Sequence, residues 1–182
     1  MKELITSLCE HGENFSIQKN TCERIIALIE TYGNWAFQNQ NWEGHITASL
    51  LVTNSEKTKV LLMFHKKLQL WLQFWWHSDG DIDTLATAIR EFHEESGIIL
   101  EPQVSSKIFD VDIHEIPADL KWRPAHWHYD ILYLACIPLD TPFTRQEDEV
   151  DDIRWFDIDR ISDYLGEKRM LDMMERIHGF LI

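Results

Sequence analysis

The sequence predicts an α/β fold in which a mixed sheet is flanked by helices. Three observations predict it. Apolar residues recur at helical spacing near the N-terminus, in the middle and at the C-terminus. Between these stretches lie several short β-like runs bounded by turn residues. The elements follow one another along 182 residues with no internal repeat and no low-complexity linker. That length suits one compact unit with a real hydrophobic core, and its natural division is a helical extension over 1–40 followed by a main domain over 41–182.

The elements can be justified in order. Ile25, Ile26, Leu28 and Ile29, followed by Trp35 and Phe37, predict a helix over 17–40. The run His45 to Thr53 predicts a strand, Asn54 to Lys57 a turn, and Lys59 to Phe64 a second strand, together a hairpin. Leu68 to Trp76 is a further β-like apolar run, and Ser78-Asp79-Gly80-Asp81 opens a loop after it. A helix follows over 83–96, with Asp83 as its N-cap and Leu85, Ala88, Ile89 and Phe92 as its apolar stripe. Strands are expected near 105–113, 128–137 and 152–156, with an exposed charged loop from Arg145 to Asp152. A last helix is expected over about 166–180, with Met170, Leu171, Met174 and Ile177 on one face.

Composition narrows the function. A net charge of -14 argues against a broad nucleic-acid-binding surface, but a bound metal can still bridge an acidic protein to a small phosphorylated ligand. Eight Trp and nine Phe point to large apolar contacts or stacking surfaces. Cys9, Cys22 and Cys136 have no metal or redox spacing and read as reduced thiols. The stretch Met1 to Phe15 is too polar for a signal peptide, and no apolar run reaches the length of about 18 residues that spans a membrane. The expectation is a soluble, cytoplasmic protein.

The densest chemistry lies in Arg90-Glu91-Phe92-His93-Glu94-Glu95-Ser96-Gly97. On a helix Glu91 neighbours both Glu94 and Glu95, and Gly97 ends the helix. Three acids on one face repel one another unless a cation holds them, and hard ions such as Mg²⁺ and Mn²⁺ prefer oxygen ligands. A solvated acidic face is the competing reading for a protein this acidic.

The spacing of this run, with the segment from Trp76 to Ile98 around it, resembles the Nudix box of the Nudix hydrolases. That pattern is Gly, five residues, Glu, seven residues, then Arg-Glu, an aliphatic residue, any residue, Glu-Glu, any residue, Gly and an aliphatic residue. Arg90, Glu91, Glu94, Glu95, Gly97 and Ile98 fall in register, and Phe92 is apolar where an aliphatic residue is usual. The first half departs: Trp76 stands at the motif glycine, Trp75 at the glycine before it, and Ile82 at the first glutamate, flanked by Asp81 and Asp83. His77-Ser78-Asp79-Gly80-Asp81 is similar to the subgroup whose loop reads Gly-Gly-His and then an acidic turn. Gly44 to Ser49, His128-Tyr129-Asp130 and Val150 to Phe156 agree with strands of that subgroup, so the resemblance covers about 40–160.

The resemblance implies an α/β/α sandwich on a mixed sheet, with the box as a loop–helix–loop. It implies hydrolysis of a pyrophosphate bond in a small-molecule nucleoside diphosphate derivative, with Mg²⁺ or Mn²⁺ as cofactor. Glu91, Glu94 and Glu95 would then be metal ligands, one of them also a general base, and Arg90 would orient a carboxylate through a fork-like ion pair. Dimers are frequent in the family, so a homodimer is one candidate state.

Three further features bear on substrate. Trp75 and Trp76 form a stacking wall, block the site, or pack in the core. His126, His128 and Asp130 share one strand face, and with His77 they are expected to line the substrate side of the sheet or satisfy local hydrogen bonds. His and Asp are zinc donors, but no third His follows at a helpful spacing. Glu147 and Glu149 are candidates for the late-loop carboxylate that some Nudix enzymes use, or are plain solvated acids.

Overall fold

The structure, a computed structural model, describes residues 1–98, 102–118, 123–144, 150–165 and 168–180. Among these, the elements run α1 (Lys2–Asn14), α2 (Lys19–Tyr32), β1 (His45–Asn54), β2 (Lys59–His65), β3 (Leu70–Leu72), β4 (Phe74–His77), α3 (Thr84–Ser96), β5 (Gln103–Ile116), β6 (His126–Ile137), β7 (Val150–Asp157) and α4 (Lys168–Ile177). Short 3-10 turns occupy Ser16–Gln18, Gly33–Phe37 and Ile158–Asp163.

Hydrogen-bonded strands run in the order β3-β2-β1-β6-β5, with β4 also on β1 and β7 also on β2. β2 is antiparallel to β1, β3 and β7. Thr47 and Ser49 bond to Asp130, and Thr53 bonds to Ala135, so β1 and β6 advance together and run parallel. The sheet is therefore mixed, as the order of elements predicts.

The chain divides into two compact units. The first comprises residues 1–49, 76–87 and 107–132. Here α1 and α2 pack together, burying Leu4 and Leu8 with Cys22, Ile25, Leu28 and Ile29. Each of these Leu and Ile side chains contributes about 1.5–3 kcal/mol when withdrawn from water. Gln18, between the helices, meets His11 Nε2 at 2.5 Å and donates its amide to Asp110 on β5. The second unit comprises residues 50–75, 88–106 and 133–182. Its β1–β2 hairpin is closed by the Asn54 carboxamide oxygen, which accepts from the Thr58 and Lys59 amides at 2.9 and 2.7 Å. β2 then pairs with β7 along its whole length, Lys59 opposite Asp157 and His65 opposite Val150. Met170, Met173, Met174 and Ile177 form the buried face of α4.

Several boundaries differ from the sequence expectation. The helix expected over 17–40 is shorter: its α-helical part ends at Tyr32, and a 3-10 turn carries Trp35 and Phe37. The polar N-terminal stretch forms α1, whose apolar stripe of Leu4 and Leu8 is too sparse to stand out. The run 68–76 is two short strands broken at Gln73. On α4, Met173 is buried and Leu171 only half-buried. Glu147 and Glu149 lie outside the described residues. No helix among those described is long and apolar enough to cross a membrane.

Candidate active site

α3 carries the acidic run, and both of its ends are fixed locally. Asp83 Oδ1 accepts from the Ala86 amide at 3.0 Å, satisfying one of the free N–H groups of the first turn as an N-cap should. Asp81 in turn accepts from the Asp83 amide at 2.9 Å. At the other end Gly97 has φ +62 and its amide donates to His93 O at 3.0 Å. A Cβ at Gly97 would lie 2.5 Å from Thr144 O, so the left-handed conformation and the close approach of Thr144 both require glycine there.

The three glutamates do not share one environment. Glu91 and Glu95 are buried, at 4 and 1 % exposure, whereas the Glu94 side chain is 57 % exposed. Arg90 forms an ion pair with Glu91 and lies 3.5 Å from Glu94, so one guanidinium bridges a buried and an exposed carboxylate. Phe92, fully buried between these acids in sequence, meets the Phe74 ring edge to face at 5.1 Å. The aromatic at the usual aliphatic position thus has a partner of its own.

Trp75 and Trp76 sit half-buried on β4 in ordinary extended backbone, with no positive φ. Trp75 stacks on His65 at 6.1 Å between centroids. The conformations that glycine alone allows are therefore not demanded at these two positions. Ile82 is exposed, and Asp81 and Asp83 beside it are engaged in the helix cap.

A second constellation gathers histidines in the first unit. On β6 His126, His128 and Asp130 are buried, while Trp127 points outward, the strand alternation expected from the sequence. Asp130 accepts hydrogen bonds from Thr47 and Ser49 on β1 at 2.9 and 2.7 Å. His128 faces His77 from β4 at 5.1 Å and His45 from β1 at 4.8 Å between ring centroids. Burial lowers the pKa of His45 and of His77 to about 4 and pushes His128 further down, so all three imidazoles are neutral at pH 7. His45 is the residue sequence reading missed: it opens β1, and no local spacing ties it to His77 or His128. Its predecessor Gly44 has φ +146, and a Cβ there would run into the Tyr129 ring at 2.6 Å.

The chain is similar in fold to known proteins. The family model for the NUDIX domain matches residues 44–177. An Ap4A hydrolase from C. elegans, solved as a binary complex, superposes with a TM-score of 0.57 at 17 % identity, covering 74 % of this chain and 96 % of that one. A NUDIX-family hydrolase from Clostridium perfringens gives 0.54 at 21 % identity, covering 74 and 96 %. The E. coli dihydroneopterin triphosphate pyrophosphohydrolase gives 0.57 at 14 % identity, covering 72 and 92 %. At these identities the likeness is one of fold. No curated protein sequence matches the chain.

Proposed function

This chain belongs to the Nudix family, and from that premise we propose that it hydrolyses a pyrophosphate bond in a nucleoside diphosphate derivative or similar compound, with Mg²⁺ or Mn²⁺ as cofactor. The observation that carries the reading is the placement of Glu91 and Glu95, buried four residues apart on α3, with Glu94 beside them and Arg90 bridging Glu91 to Glu94. Like charges at this spacing oppose the helix, and their burial adds a desolvation cost. A donor set of carboxylate oxygens fits a hard divalent cation.

When bound, such an ion neutralises charge on phosphate oxygens and makes water a better nucleophile. The chain's own residues divide the remaining work. Glu91 and Glu95, both buried, and the exposed Glu94 would hold the ion. One of these carboxylates takes the proton of the attacking water. Arg90 is a positioning residue, fixing the carboxylates of Glu91 and Glu94 in one arrangement. A hydrolysis screen over nucleoside diphosphate derivatives and oxidised nucleotides, with Mg²⁺ and with Mn²⁺, tests the reading. Glu94→Gln and Glu95→Gln should each cut turnover about a hundredfold or more; unchanged turnover in both would refute it.

A second reading is a non-catalytic binding module of the same fold. The indoles of Trp75 and Trp76 at the motif glycines and the exposed Ile82 at the first motif acid favour it. It requires ligand-induced thermal stabilisation without turnover across the same panel. Robust hydrolysis removes it.

A further inference from the structure

We propose that His45, His77 and His128 form a three-imidazole site for a borderline divalent transition ion such as Zn²⁺, with donors wholly different from the carboxylates of α3. The three residues come from β1, β4 and β6, and one ligand atom of each lies within 4.8 Å of the other two. Their rings form a closed triangle, with centroids 5.2 Å apart for His45–His77, 4.8 Å for His45–His128 and 5.1 Å for His77–His128. A zinc ion at about 2.0–2.1 Å from each nitrogen would hold the three donors closer together than the 4.8 Å within which they lie here.

The tautomer at His45 points the same way. Its Nδ1 faces the carbonyl oxygen of Asn41 at 3.3 Å, so the ring hydrogen belongs there and the Nε2 lone pair is left for a ligand. That Nε2 is buried and has no hydrogen-bond partner among the described residues. A buried polar nitrogen of this kind costs free energy unless something binds it. His126 repeats the arrangement beside the triangle. Its Nδ1 lies 2.8 Å from Pro124 O, and its ring lies 5.1 Å from both His45 and His128.

Donor chemistry separates this site from the acidic one. Imidazole nitrogens suit Zn²⁺, Co²⁺ and Ni²⁺, whereas carboxylate oxygens suit Mg²⁺ and Mn²⁺. Three protein nitrogens leave a fourth tetrahedral position open for water or another ligand. The rival is a metal-free polar core of tilted and edge-on imidazoles, and the experiment decides between the two.

The full chain, stripped with EDTA and kept in millimolar Mg²⁺, is titrated calorimetrically with Zn²⁺ and followed by visible absorption with Co²⁺. One equivalent is expected to bind, and Co²⁺ is expected to give the intense bands of four-coordinate geometry. His45→Ala, His77→Ala and His128→Ala should each weaken Zn²⁺ binding by at least about tenfold. The double substitution Glu91→Gln with Glu95→Gln should leave it unchanged. Should a histidine variant fail to fold, the imidazole nitrogen resonances of the wild-type chain read the ligands directly, with His45, His77 and His128 shifting on addition of Zn²⁺. Absence of stoichiometric Zn²⁺ binding, binding indifferent to all three histidines, or loss on the glutamate substitutions alone would each overturn the proposal. Because the readout is Zn²⁺ binding and not Mg²⁺-dependent turnover, its failure leaves the hydrolase reading standing, and the reverse.

Discussion

Arg90 forms an ion pair with Glu91, its immediate neighbour in the chain, although the Glu91 side chain is buried and that of Arg90 is half exposed. The guanidinium reaches inward from the surface and holds a buried carboxylate at the edge of the acidic set. Arg90→Ala should therefore lower kcat/KM by about tenfold or more through misplaced carboxylates. Its stability cost should stay near 1 kcal/mol, because solvent screens the exposed partner. Arg90→Lys keeps the charge but loses the planar fork, so it should recover stability more fully than activity. Parallel measurement of kcat/KM and of urea denaturation separates the two effects.

Phe92 has its ring edge on Phe74 and no exposure to solvent. Truncation to Ala leaves a cavity under the acidic helix and should cost about 3–5 kcal/mol. Phe92→Leu, which restores the aliphatic residue usual in the family, keeps most of the volume and should cost less than about 2 kcal/mol. Chemical denaturation monitored by tryptophan fluorescence checks both values.

Gly97→Ala places a methyl group at φ +62 and against Thr144. The conformational penalty alone is about 1 kcal/mol, and the contact with Thr144 adds to it. A loss of less than about 0.5 kcal/mol in the same denaturation assay would show that the helix end re-forms in another way.

Trp75→Gly with Trp76→Gly restores the glycines of the family pattern. Since both positions are extended strand, the change removes side-chain packing, including the stack on His65, and gains no needed backbone freedom. The double variant should melt at lower temperature and show no rise in kcat/KM. A large rise instead would mean that the indoles obstruct the site.

Thiol reactivity should divide the cysteines. Cys9 is exposed, Cys22 and Cys136 are buried, and none is in a disulfide. Burial pushes the Cys22 thiol up to about 11 and raises that of Cys136, so neither forms the reactive thiolate at pH 8. A disulfide reagent should titrate one fast thiol in the native protein, and the other two only after guanidinium is added.

What the sequence disclosed follows from how local each signal is. The acidic helix was legible down to its caps because Asp83, the apolar stripe and Gly97 act within a few residues of one another. The strand face of His126, His128 and Asp130 was legible for the same reason. The split among the glutamates was not, because burial of Glu91 and Glu95 depends on what packs against α3 and not on their spacing. The histidine triangle was also hidden. It needs β1, β4 and β6 to be brought side by side, and nothing near His45 in the sequence marks it as a partner of His128. α1 carries little sequence signal, since a polar helix packed on α2 needs few apolar residues.

Gly44 has a consequence for how variation in relatives of this chain should be interpreted. A side chain there would strike the ring of Tyr129, and the backbone angle disfavours any other residue. In a saturation library selected only for folding, position 44 should be nearly as depleted as the charged positions are in one selected for turnover. An invariant column beside His45 would invite a chemical role, yet its origin would be steric. A fold-only selection run alongside an activity selection distinguishes glycine kept for space from histidine kept for its nitrogen.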